Sequence, residues 1–205
     1  ARHLQAVVKR VLVHPPGDLS AIIVVDDGSR DDTAAVAERL AADEPRLRLL
    51  RRPANGGYGA AMKDGLAAAR AAGATRVACV HADGQYSPEV LPGLLAAMIA
   101  RGLDLLQGSR VASGTALAGG MPLYKYLANA GLNLLENLTF GLALTDYHSG
   151  YLVYGTRALA AIPFDRLSDS FDFDLEVIAS ARAAGLAVGE APIPTHYGDE
   201  ISHLR

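Results

Sequence analysis

Cysteine is almost missing from the 205-residue chain: Cys79 is the only one, so no internal disulfide can form. It stands in the apolar run Val77-Ala78-Cys79-Val80, which predicts a small packed side chain in an intracellular protein rather than a reactive thiol. An excess of positive charge is missing as well. Nineteen Lys and Arg against 22 Asp and Glu leave a formal charge of -3, without the basic field that nucleic-acid binding needs, so no nucleic-acid partner is expected. No stretch of the sequence approaches the ~18 consecutive apolar residues of a membrane span. The low apolar content of a disordered chain is absent too, since 50% of residues are hydrophobic and 20% charged. At ~150 residues per domain, this length predicts one sizeable domain.

What the chain does have is alternation between short β-branched runs and longer Ala/Leu-rich periodic stretches, the pattern of βαβ units and a largely parallel sheet in an α/β fold. Helical spacing covers residues 4–13, 31–43, 57–72, 88–100, 122–139 and 173–184, and a short helix opens at Thr156. Strands are expected over 20–26, 46–51, 76–80, 104–107 and 152–154, with a Pro-containing edge strand over 188–194. The continuous apolar runs at 20–26 and 76–80 predict strands buried on both faces. Residues 108–120, rich in Gly, Ser and Ala, predict a flexible loop.

Two of the apolar strands run straight into acid: Asp26-Asp27-Gly28-Ser29 and His81-Ala82-Asp83-Gly84-Gln85. Ligands of parallel sheets bind at the carboxyl ends of strands, so both loops are expected on one binding rim. Hard cations commonly take one or two protein carboxylates and complete their shell with phosphate oxygens, which suits Asp83 to a metal-bridged diphosphate. The stretch Gly57-Tyr58-Gly59-Ala60-Ala61-Met62 approaches a dinucleotide fingerprint but has Met where the third glycine belongs.

Taken in order, Val25-Asp26-Asp27-Gly28-Ser29-Arg30, Asn55-Gly56-Gly57-Tyr58-Gly59, His81-Ala82-Asp83-Gly84-Gln85-Tyr86, Gly108-Ser109-Arg110 and Thr145-Asp146-Tyr147-His148-Ser149-Gly150-Tyr151 resemble family 2 glycosyltransferases of the GT-A fold, and within them the dolichyl-phosphate mannose or glucose synthase branch. The resemblance runs from about Leu4 to Arg205. It implies a single Rossmann-like catalytic domain over 1–205, nucleotide-binding to about 110 and acceptor-binding beyond. It also implies an inverting transfer of sugar from a GDP- or UDP-sugar donor to a polyprenyl-phosphate or glycan acceptor, assisted by Mg²⁺ or Mn²⁺. The family's opening strand, ending in Pro-x-x-Asn-Glu, has no match here, because Ala1-Arg2-His3-Leu4 resembles the start of the following helix; the expectation is a longer gene product whose sheet gains that strand.

By resemblance, Asp26 and Asp27 contact the base and ribose, and Asn55 and Gly57 line the nucleotide pocket. Asp83 matches the last acid of Asp-x-Asp at the metal and diphosphate, and Gln85 matches a polar residue completing that shell. His81 departs from the pattern by replacing the first acid, and can serve as a metal ligand or hydrogen-bond the ribose or a phosphate. Arg110 matches an arginine holding the acceptor phosphate, with Lys125 as a second cation. Asp146 matches an acid near the donor sugar, while Asp172 and Asp174 lie where relatives carry a catalytic base. A hydroxyl acceptor needs such a base, whereas a phosphate is already ionised near pH 7. His148 reads as a packing residue, and His196 or His203 is a candidate to lie over the metal.

Two other readings remain open: a sugar-phosphate nucleotidyltransferase, and a nucleotide-sugar-binding module without catalysis. The amphipathic stripe Leu123, Tyr126, Leu127, Ala130, Leu134 and Leu138 predicts a helix that either packs on the core or lies at the cytoplasmic face of a membrane, giving a cytoplasmic enzyme with peripheral membrane contact.

Overall fold

In the computed structural model, which describes residues 3–112, 114 and 123–194 with the side chains of 125–127 excepted, helices and strands alternate as the periodicity predicts. The order is α1 (Leu4–Val13), β1 (Ile22–Asp26), α2 (Thr33–Asp43), β2 (Leu47–Arg51), α3 (Tyr58–Ala71), β3 (Arg76–Ala78), α4 (Leu91–Ala100), β4 (Leu105–Ser109), α5 (Leu123–Phe140), β5 (Leu152–Gly155), α6 (Thr156–Ala161), α7 (Phe173–Ala183) and β6 (Val188–Pro192). A 3₁₀ turn at Pro88–Val90 leads into α4, and another at Phe164–Arg166 precedes α7. Among the described residues no helix is long and apolar enough to cross a membrane.

β1 and β2 pair in parallel, Ile22 opposite Leu47. The other strands form a sheet in the order β3-β5-β4-β6. Within it β4 and β6 are parallel, and β5 runs antiparallel to both β3 and β4. The reversal matters for the site: the carboxyl ends of β3 and β4 meet the amino end of β5 on one rim. Backbone bonds there link Cys79 N–H to Leu152 O at 2.9 Å and Gly108 N–H to Tyr151 O at 2.8 Å.

Alternation along β4 and β5 feeds two cores. Leu105, Leu152 and Tyr154 point to one face, where Leu66, Leu159, Phe164, Phe173, Val177 and Ile178 cover them. Leu106, Tyr151 and Val153 point to the other, against Leu91, Leu94 and Met98 of α4 and Ile193. A smaller cluster joins Leu4 and Val8 of α1 to Ala37 and Leu47. Each such aliphatic side chain contributes roughly 1.5–3 kcal/mol by leaving water.

Burial on both faces, expected for the runs at 20–26 and 76–80, is not what forms. Ile22 to Val25 are half-buried, and only Asp26 in β1 is fully buried. The strand at 76–80 stops at Ala78 and leaves Arg76 exposed. The edge of β1 away from β2 pairs with no strand among the described residues, so no neighbour there completes its cover. Cys79 is nevertheless close-packed, its thiol 3.3 Å from the Met62 sulfur, and burial pushes it up to about 12.

α5 reverses the usual order of amphipathicity. Asn133 and Glu136 are each 7% exposed and face the body, while Leu134 is 62%, Leu135 61% and Leu138 75% exposed. The inner face is held by hydrogen bonds: Asn133 Nδ2 donates to Thr145 O, Asn137 Nδ2 to Leu144 O at 2.8 Å, and Leu144 N–H returns a bond to Asn137 Oδ1 at 2.8 Å. The predicted stripe therefore does not pack on the core at Leu123, Ala130, Leu134 or Leu138. The side chains of Lys125, Tyr126 and Leu127, most of the 108–120 loop, and His196 and His203 lie outside the described residues.

Candidate active site

The two loops beyond β1 and β2 lock together through Asp27. Its Oδ1 accepts from Gly56 N–H at 2.9 Å and from Arg52 Nη1 at 3.1 Å, and its Oδ2 accepts from Gly57 N–H at 2.9 Å. Asp26, 3% exposed, turns the chain by accepting from Ser29 N–H at 3.0 Å. Asn55 and Gly57 are thereby placed beside Asp27 in an open pocket of about 580 Å³, whose far wall is Asp169, Ser170 and Phe171. That wall lies on the amino end of α3: Asp169 O accepts from Gly59 N–H at 2.8 Å, and Lys63 Nζ binds Asp169 Oδ1 at 2.9 Å as well as Leu167 O. Gly57 has φ 99°, and a Cβ on it would come within 2.5 Å of Asp169 O. The glycines of the fingerprint-like stretch thus make room for this loop.

Beside the pocket, Tyr58 is a hub. Its hydroxyl donates to Asp174 Oδ2 at 2.8 Å and lies 3.3 Å from His81 Nε2. Its ring stacks on Phe171 at 5.8 Å and 11° and meets the His81 ring edge-on at 5.5 Å. Burial raises the Asp174 carboxyl to about 6. Burial also holds the His81 imidazole below its ordinary range; Asp83 opposes this and Arg110 adds to it. Asp83 itself is exposed and accepts from Gln85 N–H at 2.9 Å, which keeps Gln85 against it.

Arg110, at the end of β4, grips Asp146 with two parallel bonds, Nε to Oδ2 at 2.7 Å and Nη2 to Oδ1 at 2.9 Å. Asp146 is 2% exposed and also accepts from Arg110 N–H and His148 N–H. Asp172 is exposed, and its Oδ1 accepts from Ser168 Oγ at 2.6 Å. Asp174 is buried, with Tyr58 on one oxygen and no partner for the other among the described residues. His148, read as a packing residue, lies 3.2 Å from Glu136 Oε1, and burial raises the Glu136 carboxyl.

A sequence model of glycosyl transferase family 2 matches residues 1–162. The chain belongs to this family. Undecaprenyl-phosphate mannosyltransferase of Micrococcus luteus is 33% identical over 175 residues, 85% of this chain and 71% of the relative. Polyprenol monophosphomannose synthase of Mycolicibacterium smegmatis is 33% identical over 174 residues, 84% of this chain and 65% of the relative. Among solved structures, glucosyl-3-phosphoglycerate synthase of Mycobacterium tuberculosis with Mn²⁺, UDP and phosphoglyceric acid superposes with a TM-score of 0.71 at 18% identity, over 98% of this chain and 68% of that one. The likeness establishes the fold, and membership establishes a glycosyltransferase, which displaces the nucleotidyltransferase and non-catalytic readings.

The donor set of this transferase suits a cation in one particular way. No group of three His, Cys, Asp or Glu side chains converges among the described residues. His81-Ala82-Asp83 supplies one carboxylate and one imidazole, which fits a divalent ion shared with a diphosphate and does not fit a cage built by protein alone.

Tyr58 and Phe171, which the structure places at this pocket, were not among the expected site residues. In the fold, Gly150 leaves room for both rings: a Cβ there would come within 2.5 Å of His81 Nε2 and 3.1 Å of Tyr58 Oη.

Proposed function

We propose that the transferase moves a hexose, with inversion, from a GDP- or UDP-sugar to a polyprenyl phosphate at the cytoplasmic face of a membrane. Asp27, Asn55 and Gly57 take the nucleoside, and Asp83 with Gln85 and His81 takes the cation and diphosphate. A bound Mg²⁺ or Mn²⁺ supplies Lewis-acid stabilisation of the leaving diphosphate. Arg110 orients the acceptor phosphate, held rigid by Asp146 so that little side-chain entropy is lost on binding.

The observation that carries this reading is the engagement of the candidate bases, most fully of Asp146, both of whose oxygens hold Arg110. Asp146 holds Arg110, Asp174 holds Tyr58 and Asp172 holds Ser168. A phosphate monoester needs orientation and charge screening rather than a base, so this arrangement suits it better than a hydroxyl. The names of the two bacterial relatives, an undecaprenyl-phosphate mannosyltransferase and a polyprenol monophosphomannose synthase, support the same acceptor class. The outward apolar face of α5 supports a membrane location.

The test compares sugar transfer to a short-chain polyprenyl phosphate and to simple sugar acceptors, in wild type and Arg110→Ala. The expected result is transfer to the lipid phosphate alone, reduced at least ~100-fold in Arg110→Ala, as for loss of a charge-assisted contact. Transfer to a hydroxyl acceptor that ignores Arg110 and is abolished in Asp172→Ala overturns the reading.

A further inference from the structure

His81 and Tyr58 share a contact whose protons can be counted. The tyrosine hydroxyl has one proton, and at 2.8 Å it goes to Asp174 Oδ2, the shorter and charge-assisted contact. The lone pairs of the same hydroxyl then face His81 Nε2 at 3.3 Å. Two lone pairs cannot hold each other, so Nε2 must carry a hydrogen and donate it. A neutral imidazole protonated on Nε2 has its remaining lone pair on Nδ1. Burial favours that neutral form, and the ring cannot turn freely: Tyr86 packs edge-on at 5.2 Å, Tyr58 at 5.5 Å, and Gly150 leaves no space for a side chain against it.

We propose that Tyr58, anchored by Asp174, is a positioning residue that fixes His81 as its Nε2–H tautomer, making Nδ1 an electron-pair donor at the Asp-x-Asp position. The inference rests on the assignment of His81 to the donor site and sharpens it. An unprotonated Nδ1 repels a phosphate oxygen. It gives its lone pair instead to an electron-poor partner, ligating the divalent cation or accepting a hydrogen bond from a hydroxyl of the nucleoside. The histidine thus keeps the acceptor character of the acid it replaces, without that acid's charge.

The test uses histidine ¹⁵N resonances of the full chain, with His81 assigned by loss of its signals in His81→Gln. In wild type without ligands, Nδ1 is expected to resonate as an unprotonated ring nitrogen and Nε2 as a protonated one. Tyr58→Phe keeps both ring contacts and removes only the hydroxyl, and the two resonances are expected to move toward each other as the tautomers mix. A protonated Nδ1 in wild type overturns the proposal whether or not the variant folds, and so do resonances unchanged in a folded Tyr58→Phe. A second arm separates the partners: a response of Nδ1 to Mg²⁺ alone marks the cation, and a response to metal-free GDP or UDP alone marks a nucleoside hydroxyl. Nδ1 silent to all of these overturns the donor role. Because the resonances are read without turnover, this failure is distinguishable from failure of the glycosyl-transfer reading.

Discussion

Gly150 lies so close to His81 that a single methyl group on its Cα would stand 2.5 Å from the ring's Cε1 and Nε2 atoms. His81 is wedged against Tyr58 and Tyr86, so relief must come from a shifted ring or backbone. Gly150→Ala is therefore expected to cost about 1–3 kcal/mol of stability, the usual range for overpacking, and to weaken nucleoside diphosphate binding. Urea unfolding and calorimetric titration check the two effects together.

Asp174 gives stability a defined pH dependence. Its carboxyl is raised from 3.8 to about 6 by burial, so the folded state holds this proton more tightly than the unfolded one. The corresponding stability is fully present below pH 3.8 and is lost as pH rises through about 6. Two units correspond to roughly 3 kcal/mol. Asp174→Asn cannot ionise, so its stability relative to wild type is expected to rise by about that amount between pH 3.5 and 7.5. Denaturant midpoints of both proteins at the two pH values decide it, and a gap that does not change with pH refutes it.

Asp83 is expected to carry the cation-dependent part of donor binding, being the exposed carboxylate of the second acidic loop. In Asp83→Ala, titration of GDP or UDP with Mn²⁺ should show at least a ~10-fold loss of affinity, about 1.4 kcal/mol. His81→Asp should bind as well as wild type or more tightly, since it adds a second carboxylate. Equal affinity of wild type and Asp83→Ala would remove the metal role.

The exposed leucines of α5 predict a separation between stability and surface binding. Leu134→Gln with Leu138→Gln changes side chains that are 62% and 75% exposed, so unfolding free energy should move by no more than about 0.5 kcal/mol per site. Co-sedimentation with phosphatidylcholine vesicles carrying polyprenyl phosphate should fall at least ~10-fold, because each leucine leaving water contributes about 1.5–3 kcal/mol. Unchanged sedimentation refutes the membrane contact.

Element positions were readable because each apolar stripe has a period, and α1 forms over the residues that its spacing marks. The two acidic loops were readable as strand ends because acid closes the apolar run at Asp26 and follows the run ending at Val80 in His81-Ala82-Asp83. Direction was not: the four residues of β5 look the same run forwards or backwards, yet its reversal is what brings Asp146 to Arg110. Periodicity likewise shows that α5 has an apolar face and leaves open what lies against it. Its inner face is fixed by amide-to-backbone bonds to Leu144 and Thr145, for which sequence spacing gives no sign.

Those bonds make α5 mechanically unusual. Most surface helices are clamped by the apolar area they would expose on moving, but the inner side of this one presents Asn133, Glu136 and Asn137. Lifting it trades protein hydrogen bonds for water at a net of about 0.5–1.5 kcal/mol each, and among the described side chains of the helix the oily surface uncovered is chiefly Phe140 at its end. Asn133 and Asn137 hold the backbone at Thr145 and Leu144, immediately before the aspartate that steadies Arg110. Tension on the helix therefore reaches the Arg110 guanidinium through two residues of chain, so the hold of α5 on the body sets how stiffly Asp146 seats that side chain.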